Sequence, residues 1–179
     1  MNCSATLTAI AGTCAKVLGG VAKVWVVNRD KISITVSEGA ITSVALTAQN
    51  PAPGDGLIEY VFKRGSANAT IAGNTDDNGR NNSFTTTLHC DFSRQETAKR
   101  VALQAIVETD AYAFYQDNNH KIWALGYDAP VSANVSGDSG TAMTDSNIYG
   151  LDIVDTSLEL PYEVTMTESA WEAILDENL

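Results

Sequence analysis

Basic residues are missing from the last third of this 179-residue chain: every Lys and Arg lies at or before Lys121. Residues 1–121 hold 11 basic and 11 acidic groups and balance. The whole net charge of −11 therefore comes from the 11 acidic groups of residues 122–179. Phosphate binding by that third is disfavoured, because affinity for nucleic acid rests on Lys and Arg contacts. Such a block supplies a solvated acidic face, or a surface that repels a polyanion or docks on a basic neighbour. Cysteine is scarce as well. Cys3, Cys14 and Cys90 are an odd number without a Cys-x-x-Cys pair, which points to buried thiols in a reducing compartment. No apolar run reaches the length of a membrane-spanning helix. The first Lys is Lys16, so the basic start of a signal peptide is lacking.

Motifs that carry chemistry are also missing. There are two histidines, His89 and His120, and neither has metal-ligand spacing. His89 adjoins Cys90, but neighbours on a strand point to opposite faces and cannot share an ion. Asp76-Asp77-Asn78-Gly79 and Asp117-Asn118-Asn119 have the composition of turns and lack the distal Glu of a calcium loop. Ser136-Gly137-Asp138-Ser139-Gly140 has no base and acid in place to make a triad. Glycine-rich phosphate loops are absent. The expectation is a protein that is not an enzyme and holds no cofactor or metal.

What is present is β-rich pattern around one helix. Residues 93–108 carry Ser93 and Glu96 at capping-box spacing. Ala98, Val101, Ala102, Ala105 and Ile106 form one apolar stripe, predicting a helix laid on a sheet by Val101, Ala105 and Ile106. Val21–Val27 around Trp25, the alternating run Ile32–Ser37, a short strand Ile41–Leu46, Leu57–Arg64 and Ser83–Asp91 read as strands. Ala111–Gln116 and Lys121–Tyr127 read as a hairpin. Ile148–Val154 and Leu158–Met166 read as two late strands around a turn at Asp155-Thr156, with Pro161 marking an edge or bulge. Gly65–Asn82 and Asp128–Asp145 read as long polar loops. The tail from Ser169 has a second capping box with Glu172 and a Trp171, Ile174, Leu175 stripe. A helix this short needs something to dock on. At this length one domain suffices, burying roughly 70% of the unfolded chain's surface. The expected division is residues 1–166 as a single β domain and 167–179 as a helical arm.

Several pieces, in this order, carry a family resemblance. They are Gly19-Gly20 before Val24-Trp25-Val26; Tyr60-Val61-Phe62-Lys63-Arg64-Gly65; a Thr-rich strand entering the basic-faced helix; Ile122-Trp123-Ala124-Leu125-Gly126-Tyr127-Asp128; and Gly140-Thr141-Ala142 through Asn147-Ile148-Tyr149-Gly150. The chain resembles tail-tube-like structural proteins of tailed bacteriophages of Bacteroides-type hosts. The resemblance implies an antiparallel β-sandwich or barrel flanked by a helix, with a short C-terminal helix. It implies a homo-oligomeric ring, six-fold or a multiple, made in the host cytoplasm and placed in the virion tail beside other tail or portal-proximal proteins. DNA would pass through the ring without specific binding, and no membrane is involved. The inter-ring contact would come from Gly65–Asn82 or Thr42–Gly56. Trp171, Ile174 and Leu175 are then the candidate intersubunit contacts. Asp128, Asp138, Asp152, Asp155, Glu159 and Glu163 are the candidate channel-facing acidic residues. The alternative function is a β-sandwich binding module, glycan-binding or adhesin-like, with Tyr112, Tyr115, Trp123 and Tyr127 as stacking aromatics.

Overall fold

A computed structural model describes residues 9–10, 17–75 and 82–176. The fold is mainly β, two packed sheets with a helix. In chain order the strands are β1 (Val21–Asn28), β2 (Ile32–Ser37), β3 (Ala40–Leu46), β4 (Ile58–Glu59), β5 (Asn68–Thr75) and β6 (Asn82–Ser93). Helix α1 (Thr97–Glu108) follows, then β7 (Ala111–Asp117), β8 (Ile122–Leu125), β9 (Ser132–Asp138), β10 (Ile148–Ser157) and β11 (Tyr162–Val164). Helix α2 (Glu168–Glu172) comes last. The larger sheet has the order β2-β3-β11-β8-β7-β1-β4, and the smaller one β5-β6-β10-β9. The small sheet is antiparallel throughout; the large one is mixed, because β11 runs parallel to β3 at Val164 and Ile41.

The centre of the large sheet is buried on both faces, which is why Val24–Val27 of β1 is continuously apolar rather than alternating. Val24 and Val26 join Leu88, Cys90, Leu151 and Ile153 in the core between the sheets. Trp25 and Val27 point the other way, into a second core with Ile41, Val44, Phe114, Trp171 and Ile174. The small sheet buries one face only, so β6 alternates: Thr86, Leu88 and Cys90 inside, Thr85, Thr87 and His89 partly exposed.

The helix differs from its sequence pattern. It starts at Thr97, because Ser93 still pairs with Ile148 as the last residue of β6. Arg94 has φ 67 and turns the chain. The capping box does not form: Glu96 is the N-cap, without a side-chain cap bond, and its carboxylate pairs with Lys99 at 2.6 Å. The buried residues are Leu103 and Ile106; Val101 is 53% exposed and Ala105 is exposed. Ile106 is buried as the stripe predicts, but Leu103 takes the place expected of Val101 and Ala105, so the buried face is shifted around the helix. It lies along β9 and reaches the large sheet where Tyr60 Oη donates to the Ala102 carbonyl at 3.3 Å.

Both polar loops contain strands. Asn68–Thr75 pairs along its length with β6, and Ser132–Asp138 with β10. Neither shows alternation because β5 beyond Ala69 and most of β9 are exposed. The Asp76–Gly79 run lies outside the described residues. Asp155 and Thr156 are no turn; they continue β10. Of Leu57–Arg64, only Ile58–Glu59 joins a ladder. Of Leu158–Met166, Tyr162–Val164 does, after Pro161.

The C-terminal segment is part of the domain rather than an arm. The N-cap of α2 is Thr167, whose side chain accepts from Ala170 N; Ser169 does not cap. Trp171 is 4% exposed and packs edge-on against Trp25 and Phe114, with centroids 5.3 and 5.2 Å away. Leu57 N–H donates to the Ile174 carbonyl at 2.9 Å, and Asp176 N–H to the Leu57 carbonyl at 3.0 Å. A Cβ on Gly56 would sit 2.9 Å from Asp176 N and Ile174 O, so glycine permits this approach.

Candidate functional site

The outer face of the small sheet is the most chemically organised surface. On β6 it shows Thr85, Thr87, His89 and Asp91, and register sets Thr156, Val154, Asp152 and Gly150 of β10 beside them. Asn134, Ser136 and Asp138 of β9 extend it on one side, and Asn68, Thr70 and Asn74 of β5 on the other. None of the described residues of this face is Lys or Arg. At its centre His89 lies between two carboxylates: Nδ1 is 2.6 Å from Asp152 Oδ1 and Nε2 is 3.2 Å from Asp91 Oδ1. A neutral imidazole can donate to only one of them; an imidazolium satisfies both. A Cβ on Gly150 would fall 2.6 Å from Ser136 Oγ, so glycine lets the neighbouring strands' side chains close over it.

This cluster arises from strand pairing. Asp91 shares His89's face because it lies two residues along the strand, and Asp152 because it is His89's cross-strand partner. Only the first relation was open to sequence reasoning, which weighed His89 against Cys90 instead. Cys90 is indeed on the opposite face, fully buried, and burial with nearby Asp91 and Asp152 pushes its thiol up to about 12. It is an inert core residue. Among the described residues no three His, Cys, Asp or Glu are placed to hold a metal ion.

The six acidic candidates do not share one face. Asp138 and Asp152 lie on the polar face just described. Asp155 is 4% exposed and points inward, because alternation along β10 sets it opposite Asp152. Burial raises its carboxyl above the usual range; a Gly126 N–H opposes the rise, Asp128 adds to it, and Arg29 opposes it. Glu163 is on the large sheet and pairs with Lys121. Asp128 and Glu159 line a hollow with Tyr127 and Tyr162. Asp128 accepts from Leu158 N–H at 3.4 Å, and Glu159 from Tyr162 Oη. Asp152, Glu163 and Asp128 thus find partners that sequence distance hides, in His89, Lys121 and the Leu158 N–H; Glu159 meets Tyr162 three residues along the chain.

Two intersubunit candidates are likewise corrected. Trp171 and Ile174 are buried in their own domain and leave no apolar stripe for a neighbour; Leu175 bridges to Leu57. The four candidate stacking aromatics are divided. Tyr115 and Trp123 pack on the core between the sheets. Tyr112 packs on the second core beneath Arg29. Tyr127 stacks edge-on with Tyr162 at 5.1 Å. They offer no common platform to a sugar.

No protein-family model, no curated protein and no solved structure matches this chain.

Proposed function

We propose that this protein is a virion structural subunit, forming a ring or tube around the DNA channel of a bacteriophage tail. One observation carries the reading. The small sheet offers a broad polar face without lysine or arginine among its described residues, bounded by two edge strands, β5 and β9, the second with α1 beside it. Edge strands are normally blunted by Lys, Pro or inward charge. Asn68–Thr75 has no charged residue, and Ser132–Asp138 has one, at its end. Such edges suit pairing with another copy. The two edges differ, so the contact is head-to-tail, the kind that makes a ring when its rotation closes. A ring of about six copies brings roughly 24 strands to its bore; at ~4.8 Å spacing and ~40° tilt the backbone diameter is about 48 Å. That exceeds the 16–18-strand barrels that already leave a water-filled channel.

The bore then presents Asp91, Asp138 and Asp152 from each copy, with Thr, Ser and Asn between them. This replaces the six-residue acidic wall with a mildly acidic, hydroxyl-rich one. Among the described residues DNA finds no Lys or Arg there to release its counterions, and it does not stick. Electron microscopy of the purified protein tests the reading. Rings or tubes with the small sheet facing the bore support it. A protein that stays monomeric at high concentration, or a bore lined by Lys23, Lys63 and Arg64, overturns it.

A further inference from the structure

The small sheet does not account for a second surface, beside β4. Two hollows meet there and share Glu59, Tyr60 and Val61. One, of about 640 Å³, lies against Gly20 and Ala22. The other, of about 280 Å³, runs between β4 and α1 and is floored by Phe92, Ala98, Ala102 and Leu103. The wall between them carries Val61, 77% exposed. The small side chains of Ala98 and Ala102 leave the trough open where a larger residue would fill it.

The same chain shows exposed apolar residues near its N-terminus. Ile10 is 98% exposed, and Val17 and Leu18 are exposed too. In sequence, Cys3, Ala5, Leu7 and Ala9 alternate with Ser4, Thr6 and Thr8, the pattern of a segment that buries one side. The stretch is anchored at its end. Leu18 N–H donates to Asn119 Oδ1 and Asn119 Nδ2 to the Leu18 carbonyl, both at 2.9 Å, and Asn118 Nδ2 donates to the Gly19 carbonyl at 2.6 Å. Residues 3–16, at ~3.3 Å each when extended, reach about 46 Å from that anchor, which spans to an adjoining subunit.

We infer that the N-terminal stretch carrying Ile10 docks in the β4–α1 trough of a second copy of this chain. An open trough and the exposed apolar side chains of Ile10, Val17 and Leu18 on one molecule are the two halves of a head-to-tail contact. Apolar residues this exposed lower their free energy only by finding a partner. Small alternating side chains fit a trough floored by alanines. The inference rests on the self-association proposed above and adds a joint separate from the β5 and β9 edges.

Disulfide trapping tests it. One chain carries Ile10→Cys, another Val61→Cys, both with Cys3→Ser and Cys14→Ser, and the two are mixed and oxidised. A covalent dimer of unlike chains is expected. Adding Ala102→Asp to the Val61→Cys chain should lower its yield about tenfold, since an unpaired carboxylate in an apolar contact costs at least the ~1.4 kcal/mol this represents. Ala102 is exposed, so that variant keeps its fold, which circular dichroism checks. Rings that form without the crosslink overturn the inference and leave the ring reading standing. A bond that forms within one chain carrying both cysteines, and not between mixed chains, also overturns it. Monomers at every concentration overturn both.

Discussion

The two sheets differ in how many faces they bury, and this separates the part of the molecule that holds it together from the part free to do something. The seven-stranded sheet has a core on each face. The four-stranded sheet has one, and its other face carries hydroxyls, amides, three carboxylates and a histidine. A strand buried twice must be apolar at every position; a strand buried once has half its positions free for surface chemistry. The proposed function is therefore placed on the outer face and edges of the small sheet, while the large sheet contributes to both cores.

Substitutions can break that comparison, beginning with the largest effect. Trp171→Ala empties the second core, and we expect a loss of about 3–5 kcal/mol, read as a lower denaturant midpoint. Removing residues 167–179 should do at least as much. A truncated protein that melts normally but loses its assembly would return the tail to the role of a joint.

Next, Leu103→Ala should cost about 2–5 kcal/mol and Val101→Ala no more than about 0.5 kcal/mol, because the first is buried and the second is not. A larger loss at Val101 than at Leu103 would mean that the helix packs by the face its stripe predicts. Gly56→Ala should also destabilise, since its Cβ meets backbone atoms at 2.9 Å, with no side chain there to yield.

Asp155→Asn sharpens the comparison through pH. Burial raises the folded-state pKa of Asp155 above its ordinary value of 3.8. Between these two values the folded protein binds more protons than the unfolded one, so stability falls as pH rises. The penalty is absent below the ordinary value and complete above the folded-state one. The asparagine variant should melt higher than the parent at pH 7, and its melting temperature should fall less as pH rises through that window. A lower melting temperature at pH 7 would mean that the carboxylate is well paired.

The smallest change in stability belongs to Ile71→Lys on β5, half exposed in the single chain. Within about 0.5 kcal/mol, melting should not change, while a charge on an open edge should prevent pairing between copies. Sedimentation analysis reads the outcome. Intact rings in this variant would remove β5 from the interface.

Strands with one buried face were legible: Ile32–Ser37 and Ser83–Asp91 alternate because water lies on one side of them. So was the Val24–Val27 part of β1, whose unbroken apolar run needs two cores. β5 and β9 were read as loops, since a strand with both faces exposed has no reason to alternate. The helix was placed four residues early, because its capping-box serine belongs to a strand pairing with residue 148. Of the polar cluster, His89 and Asp91 are two residues apart and legible as neighbours. Asp152 is not, because 63 residues separate it from His89.

By itself the sequence determined the β class, the single principal helix, the acidic final third and the absence of any basic run there. These follow from residue type and short-range period, which local sterics and burial convert directly into structure. Only the tertiary structure decided which face of α1 is buried, that the tail completes a core, and that Asp155 points inward while Asp152 meets a histidine. Each depends on which distant strand lies alongside, and register carries that information over separations where local pattern has none.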